Sequence, residues 1–209
     1  MSSKIVIMKT LCISLLAALV INTANAQWIR QNSGTNSNLN SVYFTNSLNG
    51  YAAGDEGTIL STLNGGNNWT TQTSGISKRL TSLCFTDSLT GYAVGDSGTI
   101  LKTLNGGSNW IQQPGGTNVN LNSVSFYDSR NGLIVGEEGT ILKTDDGGNT
   151  WIQQTSGVII PFSSVCFADT LTAYIITDSD YAWEGEGTVL KTVNGGANWD
   201  ILASGRNWI

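Results

Sequence analysis

Hydrophobic and polar positions follow the same order in four successive units of the chain. The first strand predicted in each unit alternates, so that in Leu39–Phe44 the side chains of Val42 and Phe44 fill one face. A short run that is apolar on both sides follows at Tyr51–Ala53, and this pattern indicates a strand covered on both faces. Corresponding first strands start at Leu80, Leu121 and Phe162, and corresponding second strands start at Tyr92, Leu133 and Tyr174.

Turn-forming residues separate these strands. Asn46, or an Asp at the equivalent place of the later units, predicts a turn in which a short side chain bonds its own backbone. Gly54 and Gly57 bracket the next turn, and paired glycines predict the positive φ angles that tight hairpins need. A third strand, Thr58–Thr62, and a fourth strand that begins at Trp69 complete the unit. Since helix signals are absent from the sequence after residue 26, the pattern predicts an all-β fold.

Tryptophans mark the length of the repeat. They stand at positions 28, 69, 110, 151 and 199, so three intervals are 41 residues long and the last is 48. A fixed period of this size is typical of propeller blades, each built from four antiparallel strands. We therefore predict an all-β, β-propeller-type array of four four-stranded antiparallel blades. The domain would span residues 27–209, with blades at about 39–75, 80–116, 121–157 and 162–205.

The first 26 residues have a different character. Lys4 and Lys9 precede an apolar run at 11–21, and Ala24-Asn25-Ala26 supplies small residues for a cleavage site. These features predict a secretory signal peptide, residues 1–26, cut near Ala26. The apolar run is about half of the ~20 residues that a transmembrane helix needs, so we predict no membrane span. The mature chain is expected to be exported, to the periplasm or the extracellular space.

Composition excludes several classes of function. The formal net charge is −5, and an acidic chain argues against nucleic acid, which proteins bind mainly through Lys and Arg. The chain contains no histidine, which excludes Ser-His-Asp and Cys-His catalysis and all His-ligated metal sites. We predict no catalytic residue, no metal and no cofactor.

Two cysteines, Cys84 and Cys166, follow the predicted signal peptide, and they occupy the same position in the second and fourth units. Equivalent strand positions two units apart should lie beyond the reach of a disulfide. We therefore expect two small, buried thiols rather than a bridge.

Thr144–Trp151 carries a family resemblance. This segment, Thr-Asp-Asp-Gly-Gly-Asn-Thr-Trp, resembles the Asp-box of bacterial-neuraminidase-type (BNR) repeats, Ser/Thr-x-Asp-x-Gly-x-Thr-Trp. The wider unit, from Leu-Asn-Ser-Val-x-Phe to Gly-Gly-x-x-Trp, resembles the photosystem II assembly and stability factor family of β-propellers and the secreted bacterial proteins that carry such domains. The resemblance implies a structural role for the box residues, which are Asn64, Asn105, Asp146 and Asn194, together with Trp69, Trp110, Trp151 and Trp199. Where Asn replaces Asp, its side chain can form the same turn bond.

The resemblance also implies a ring of seven blades, for which four units are too few. Either four blades close a smaller ring, within the known range of ~4–8, or the chain forms an open arc. Because the last unit keeps its own tryptophan strand at Trp199, the strand at Trp28 is not needed as a clasp, and we favour the arc or a shortened gene. The bare ends of an arc would seek a partner, so another protein or self-association is expected.

Acidic residues recur in the turn between the second and third strands, at Asp55, Glu56, Asp96, Glu137 and Glu138. In a propeller these turns should fall on one rim, beside the links between units. Such an acidic rim suits a cationic partner or Ca²⁺. The alternative, which we favour, is a set of solvated turns whose charges keep the surface soluble.

The fourth unit breaks the period with seven additional residues, between Thr177 and Gly187. This segment replaces the tight turn and brings aromatic and acidic side chains to the same rim. They are Asp178, Asp180, Tyr181, Trp183, Glu184 and Glu186. Aromatic rings next to carboxylates suit stacking on a sugar or binding of a cationic peptide. The alternative is that Trp183 folds back onto its own blade.

These patterns favour a secreted, non-enzymatic interaction domain that resembles an assembly factor. The alternative is a carbohydrate-binding or glycoside-hydrolase-like protein related to sialidases, with a glycan as ligand. Neuraminidase catalysis needs three arginines on the substrate carboxylate, as the resemblance implies. The arginines after the signal peptide, Arg30, Arg79, Arg130 and Arg206, are scattered at non-equivalent positions of the repeat. We therefore predict a protein partner.

Overall fold

The computed structural model describes residues 29–177 and 187–204, and the blades lie in a compact unit that begins at Gln31. Each blade is a four-stranded antiparallel sheet in chain order, as predicted. The first blade contains β1 (Leu39–Phe44), β2 (Gly50–Gly54), β3 (Ile59–Thr62) and β4 (Thr70–Gln72), and the second contains β5 (Leu80–Phe85), β6 (Gly91–Gly95), β7 (Thr99–Thr103) and β8 (Ile111–Gln112). The third contains β9 (Leu121–Phe126), β10 (Gly132–Gly136), β11 (Ile141–Thr144) and β12 (Ile152–Gln154), and the fourth contains β13 (Phe162–Phe167), β14 (Ala173–Thr177), β15 (Thr188–Thr192) and β16 (Asp200–Ser204).

The first strands of neighbouring blades contact one another, β1 with β5, β5 with β9 and β9 with β13. They therefore line the inside of the array, and the fourth strands lie on the outside. The four sheets form an open arc rather than a closed ring, with the first and fourth blades at its ends. Among the residues that the structure describes, we find no helix of the length and apolar character that a membrane crossing requires.

Hydrophobic residues are buried between the blades, in one cluster at each of the three joints. At the first joint, Tyr51 and Ala53 of the first blade pack against Leu80, Leu83 and Phe85 of the second. Equivalent residues form the second and third clusters. The second strand is buried over its full length in the first three blades. In the second and third blades a neighbouring blade covers each of its two faces. This confirms what the apolar run predicts there.

The two ends of the arc depart from the sequence prediction. Val42 and Phe44 do not fill a buried face, since they are 63% and 43% exposed. Cys166 is exposed as well, whereas Cys84 is buried, and both thiols are free. The expectation of two buried thiols is wrong for Cys166, because the outer face of the fourth blade has no neighbouring blade. Burial also raises the pKa of the Cys84 thiol to about 12.

The glycine pair in the turn between the second and third strands has two separate roles. Gly57 adopts a positive φ of 68°, as predicted, and Glu56 before it has a φ of 56°. Gly54 is extended instead, with a φ of −164°, so the expectation of two positive φ angles is wrong. A side chain at Gly54 would place its Cβ 1.9 Å from the carbonyl oxygen of Asn38. This glycine is needed because the backbones approach closely.

Candidate functional site

The four blades together line a depression of about 630 Å³ on one rim of the arc. We call this depression the axial mouth. Residues of every blade contribute to it, and most of them are polar. They are Leu39 and Asn40 of the first blade, Thr81 of the second, Asn122 and Glu137 of the third, and Phe162 and Ser163 of the fourth, together with Arg79 and Pro161 of the links between blades.

A β-bulge near the start of each first strand aims one side chain at the next blade. In β1 the register shifts between Leu39 and Ser41, which leaves Asn40 without a partner residue on β2. The same shift occurs in β5, β9 and β13. The freed side chain is a hydrogen-bond donor in every blade. The four residues are Asn40, Thr81, Asn122 and Ser163.

Three of these side chains tie neighbouring blades together. The Nδ2 of Asn40 donates to the carbonyl oxygen of Leu80 at 2.8 Å. The Oγ1 of Thr81 donates to the carbonyl oxygen of Leu121 at 2.6 Å, and the Nδ2 of Asn122 donates to that of Phe162 at 2.8 Å. These bonds fix the spacing of the blades at the axial mouth, so its lining is preorganised.

Asp55 and Arg79 place opposite charges beside the mouth. The Asp55 carboxylate accepts hydrogen bonds from Asn38 and Asn40, at 2.8 and 3.1 Å, and the Nε of Arg79 lies 3.4 Å from its Oδ1. The bonds from Asn40 and Asn38, and then the charge of Arg79, hold the pKa of Asp55 below its usual value. The Arg79 side chain is 53% exposed, so its guanidinium keeps N–H groups for a ligand.

The other acids predicted for this rim have different environments. Backbone N–H groups of Asp55, Asp96 and Glu137 donate to carbonyl oxygens of the links between blades, so the turns lie beside those links. The Oε1 of Glu137 accepts a bond from the Nδ2 of Asn120 at 3.1 Å, whereas Glu56 and Glu138 are exposed. Within residues 29–177 and 187–204, no group of three potential metal ligands is found. A binding role for the acidic rim stays a prediction.

The segment that breaks the repeat is connected to the same rim as the axial mouth. Thr177, the last residue of β14, pairs with Phe162 of the mouth. Its Oγ1 accepts a hydrogen bond from the backbone N–H of Thr188, the first residue of β15, at 2.8 Å. The candidate binding residues between them, Asp178, Asp180, Tyr181, Trp183, Glu184 and Glu186, lie outside the described residues.

The box residues lie on the opposite rim of the arc, which we call the box end, in the turn between the third and fourth strands. Thr144 donates to Asp146 at 2.8 Å, and Asp146 also accepts bonds from the backbone and side chain of Thr150. These bonds, above all those from Thr150, lower the pKa of Asp146 to about 2. Asn64, Asn105 and Asn194 accept the corresponding backbone bonds. The turn uses every one of these side chains internally.

The box tryptophans pack beside aromatic residues of their own blades. Trp110 lies edge-on to Phe85 with ring centroids 6.0 Å apart, and Trp151 lies edge-on to Phe126 at 5.9 Å. Trp69 has the same relationship to Phe44 at 6.1 Å, and Trp199 packs against the cluster of the third joint. Among the residues that the structure describes, the buried indole nitrogens of Trp110, Trp151 and Trp199 have no hydrogen-bond partner.

The arginines of the described blades do not converge. Arg79 is at the axial mouth, whereas the Nε of Arg130 donates to the carbonyl oxygen of Asp145 at the box end. Sequence reasoning did not single out Asn40, Thr81, Asn122 or Arg79 as site residues. A signal was present, since the second position of every first strand is polar, but the bulge that redirects this position is visible only in the structure.

Comparison with known proteins agrees with this architecture. The family model described as photosynthesis system II assembly factor YCF48 matches residues 20–112 and 72–207. YCF48 from Cyanidioschyzon merolae shares the fold with a TM-score of 0.66 and 20% identity, over 87% of this chain and 61% of that chain. A structure of YCF48 bound to D1 peptide matches with a TM-score of 0.56 and 16% identity, over 84% of each chain.

A glycoside hydrolase has a similar fold. The GH74 enzyme of Niastella koreensis matches with a TM-score of 0.64 and 18% identity, over 78% of this chain and 30% of that chain. None of the curated proteins matches the chain. At these identities the likeness to solved structures establishes the fold alone, and it confirms the β-propeller class.

Proposed function

Because the chain belongs to the photosynthesis system II assembly factor YCF48 family, we propose that it is an exported, non-enzymatic interaction domain. It binds a segment of another protein at the axial mouth and acts in the assembly of a complex. The observation that carries this proposal is the convergence of polar side chains from all four blades on one preorganised depression.

The lining of the mouth suits the backbone and polar side chains of a peptide segment. Arg79 offers N–H groups that Asp55 does not use, and a guanidinium binds carboxylates and carbonyl oxygens with defined geometry. Ser163 supplies a hydroxyl, and the second oxygen of Glu137 can accept a bond from a peptide N–H. The expected ligand is therefore a polar segment with at least one acidic or carbonyl-rich position for Arg79.

Peptide binding by a structural relative supports this choice of ligand. The solved complex is that of YCF48 with D1 peptide. The present chain spans 61% of the length of the Cyanidioschyzon merolae YCF48, so its partner need not be the same. We infer that the axial mouth and the segment 178–186, which follows Thr177, select the partner of this chain. The predicted signal peptide, residues 1–26, supports export. Amino-terminal sequencing of the secreted product should begin at Gln27.

Site-specific photocrosslinking tests the binding site. A photoreactive amino acid at Ser163, in the mouth, should capture a discrete protein other than a second copy of this chain in the producing cell. The same group at Leu104, which is 63% exposed near the box turn on the opposite rim, is the matched control. Capture from position 104 but not from position 163 would contradict the proposal.

The carbohydrate alternative receives its own test. The mouth carboxylates are engaged within the protein, Asp55 with Arg79 and two amides, and Glu137 with Asn120. A retaining or inverting glycosidase needs two carboxyl groups about 5–10 Å apart across a substrate. We expect no turnover of β-glucan or sialoside substrates by the purified chain. Measurable hydrolysis would contradict the proposal of a non-enzymatic interaction domain and would indicate an enzyme.

A further inference from the structure

The exposed face of the first blade has the residues of a blade joint without the neighbouring blade. Leu39, Val42 and Phe44 are 41%, 63% and 43% exposed. Their equivalents in the second blade, Leu80, Leu83 and Phe85, are 0%, 4% and 5% exposed. A depression of about 340 Å³ lies over this surface, between β1 and Trp69. We call this surface the first-blade face.

The opposite end of the arc has the complementary half of a joint. Cys166 and Ser164 are exposed there, and Ile176 is 47% exposed, whereas its equivalents Val94 and Val135 are fully buried. The Tyr174 ring is partly exposed, with the Nζ of Lys191 5.6 Å from its centroid. We call the surface formed by Ser164, Cys166, Tyr174 and Ile176 the fourth-blade face.

The joints inside the chain show how such faces fit together. Tyr51 stacks on Phe85 of the next blade with centroids 3.9 Å apart, and Tyr92 stacks on Phe126 at 4.1 Å. The hydroxyl of Tyr92 donates to the carbonyl oxygen of Gly147, at 2.7 Å. Lys102, whose Nζ lies 5.7 Å from the Tyr92 ring centroid, donates to the same oxygen.

A serine completes each internal joint. The Oγ of Ser41 accepts the backbone N–H of Leu83 at 3.1 Å. Ser82 and Ser123 accept those of Val124 and Val165 in the same way. The fourth-blade face therefore has the same three kinds of side chain as an internal joint: a tyrosine (Tyr174), a lysine (Lys191) and a serine (Ser164). The first-blade side has the equivalents of the groups that these side chains contact in the internal joints, namely an aromatic ring, a glycine carbonyl oxygen and a backbone N–H.

We propose that the two faces bind each other between two copies of the chain, head to tail, and close one ring of eight blades. Tyr174 stacks on Phe44 of the partner subunit, and Tyr174 and Lys191 donate to the carbonyl oxygen of the partner's Gly65. Ser164 accepts the backbone N–H of the partner's Val42. Ser163 takes the place of Thr81 and donates to the carbonyl oxygen of the partner's Leu39, so the axial mouth is lined by both copies.

Two copies are the number that closes the ring. A head-to-tail contact produces a ring when its rotation closes and a filament when it does not. Propellers close with about 4–8 blades, so four blades from each of two copies reach the upper end of that range. The chain covers 61% of the length of YCF48 from Cyanidioschyzon merolae, so one copy supplies part of such an array and a second copy can supply the rest. This self-association does not require the partner proposed above, although the two contacts share Ser163 at the edge of the axial mouth.

Light scattering coupled to size exclusion tests the ring by comparing the mass in solution with that of one copy, which is 22.2 kDa before the predicted signal peptide, residues 1–26, is removed. We expect twice the mass of one copy for the wild type. Val42→Glu and Ile176→Glu should each yield monomers, because each places a charge in one half of the joint. Leu104→Glu, at an equally exposed apolar position outside both faces, should stay dimeric. A monomeric wild type, a larger oligomer, or a dimer that both variants retain would overturn the proposal.

Two further measurements identify the faces. A mixture of Val42→Glu and Ile176→Glu chains retains one intact joint, so it should form heterodimers. If the contact joined two identical faces instead, the mixture would form no heterodimer. Cys166 should react with a thiol reagent at least about tenfold faster in Val42→Glu than in the wild type, as followed by peptide mapping, because the partner's first-blade face covers it. Equal labelling of Cys166 in both chains would contradict the assignment.

Discussion

Tyr92 of the second blade lies flat against Phe126 of the third, with ring centroids 4.1 Å apart and the planes inclined by 15°. The contact joins residues of neighbouring repeats, and Tyr92 is fully buried in it. Each blade of this chain is thus stabilised chiefly by its neighbour, as expected for an array in which no single repeat buries its own apolar faces.

Shortening Tyr92 should therefore weaken the whole array. Removing a fully buried aromatic ring costs about 3–5 kcal/mol, so we expect Tyr92→Ala to lose that free energy of unfolding in urea titrations. Tyr92→Phe, which removes only the bond to Gly147, should lose about 1 kcal/mol. Leu104→Ala, at an exposed site, should change stability by less than about 0.5 kcal/mol. Similar losses in all three variants would refute the role given to the joint.

Thr81 links the second blade to the third through its hydroxyl, which donates to the carbonyl oxygen of Leu121. Thr81→Val keeps the size of the side chain and removes the bond, and we expect a loss of about 1 kcal/mol. Thr81→Ser keeps the hydroxyl and should retain that part of the stability. If serine is no better than valine in thermal unfolding, the hydrogen bond does not stabilise the joint.

Replacement of Gly54 and of Gly116 by alanine should destabilise the protein for different reasons. At Gly54 the new Cβ would lie 1.9 Å from the carbonyl oxygen of Asn38, whereas at Gly116, with a φ of 70°, there is no atom within 4 Å. Gly54→Ala should therefore cost at least the ~3 kcal/mol at the upper end of overpacking, and Gly116→Ala the ~1–2 kcal/mol of a left-handed backbone. Chemical denaturation of both variants measures the two losses of unfolding free energy. A larger loss in Gly116→Ala than in Gly54→Ala would contradict this prediction.

Asp146 should make the box turn sensitive to acid. Its pKa is lowered to about 2 in the folded chain, and the pKa of an Asp in an unfolded chain is about 3.9. The folded state then favours the ionised form, so this contribution to stability is complete above about pH 4 and is lost as the pH falls toward 2. Asp146→Asn, which copies the other three repeats, should lack this pH dependence.

The measurement for Asp146 is the difference in melting temperature between the two chains across that range. The wild type should be more stable than Asp146→Asn at pH 6, and the difference should shrink as the pH approaches 2. Because Asp87, Asp128 and Asp169 also have lowered pKa values, only the difference between the chains reports on Asp146. Parallel curves would show that the carboxylate makes no special contribution.

The sequence predicted the repeat more completely than it predicted the site. Alternation in Leu39–Phe44 and the apolar run at Tyr51–Ala53 located the first two strands, because side chains in a sheet have a period of two. The same periodicity could not distinguish the blades at the ends of the arc from those in its middle. Cys84 and Cys166 occupy the same position of the repeat, yet one is buried and the other exposed, since burial depends on the presence of the next blade.

The axial mouth could not be predicted for a different physical reason. Asn40, Thr81 and Asn122 read as the polar positions of alternating strands, and nothing in a single strand shows that a bulge turns them toward the next blade. Arg79 lies in a link between blades, and its approach to Asp55 joins residues 24 positions apart in the chain. Such contacts depend on how blades pack together.

The most direct test of the proposed function compares two arginines. Arg79 lies at the axial mouth, and Arg130 lies at the box end, where its Nε donates to the carbonyl oxygen of Asp145. The measurement is the yield of the partner captured by the photoreactive group at position 163 in Arg79→Ala and Arg130→Ala chains. We predict a yield at least about tenfold lower in Arg79→Ala, as expected when a charged contact worth ~1.4 kcal/mol or more is removed, and an unchanged yield in Arg130→Ala. Equal yields from the two variants would contradict binding at the mouth.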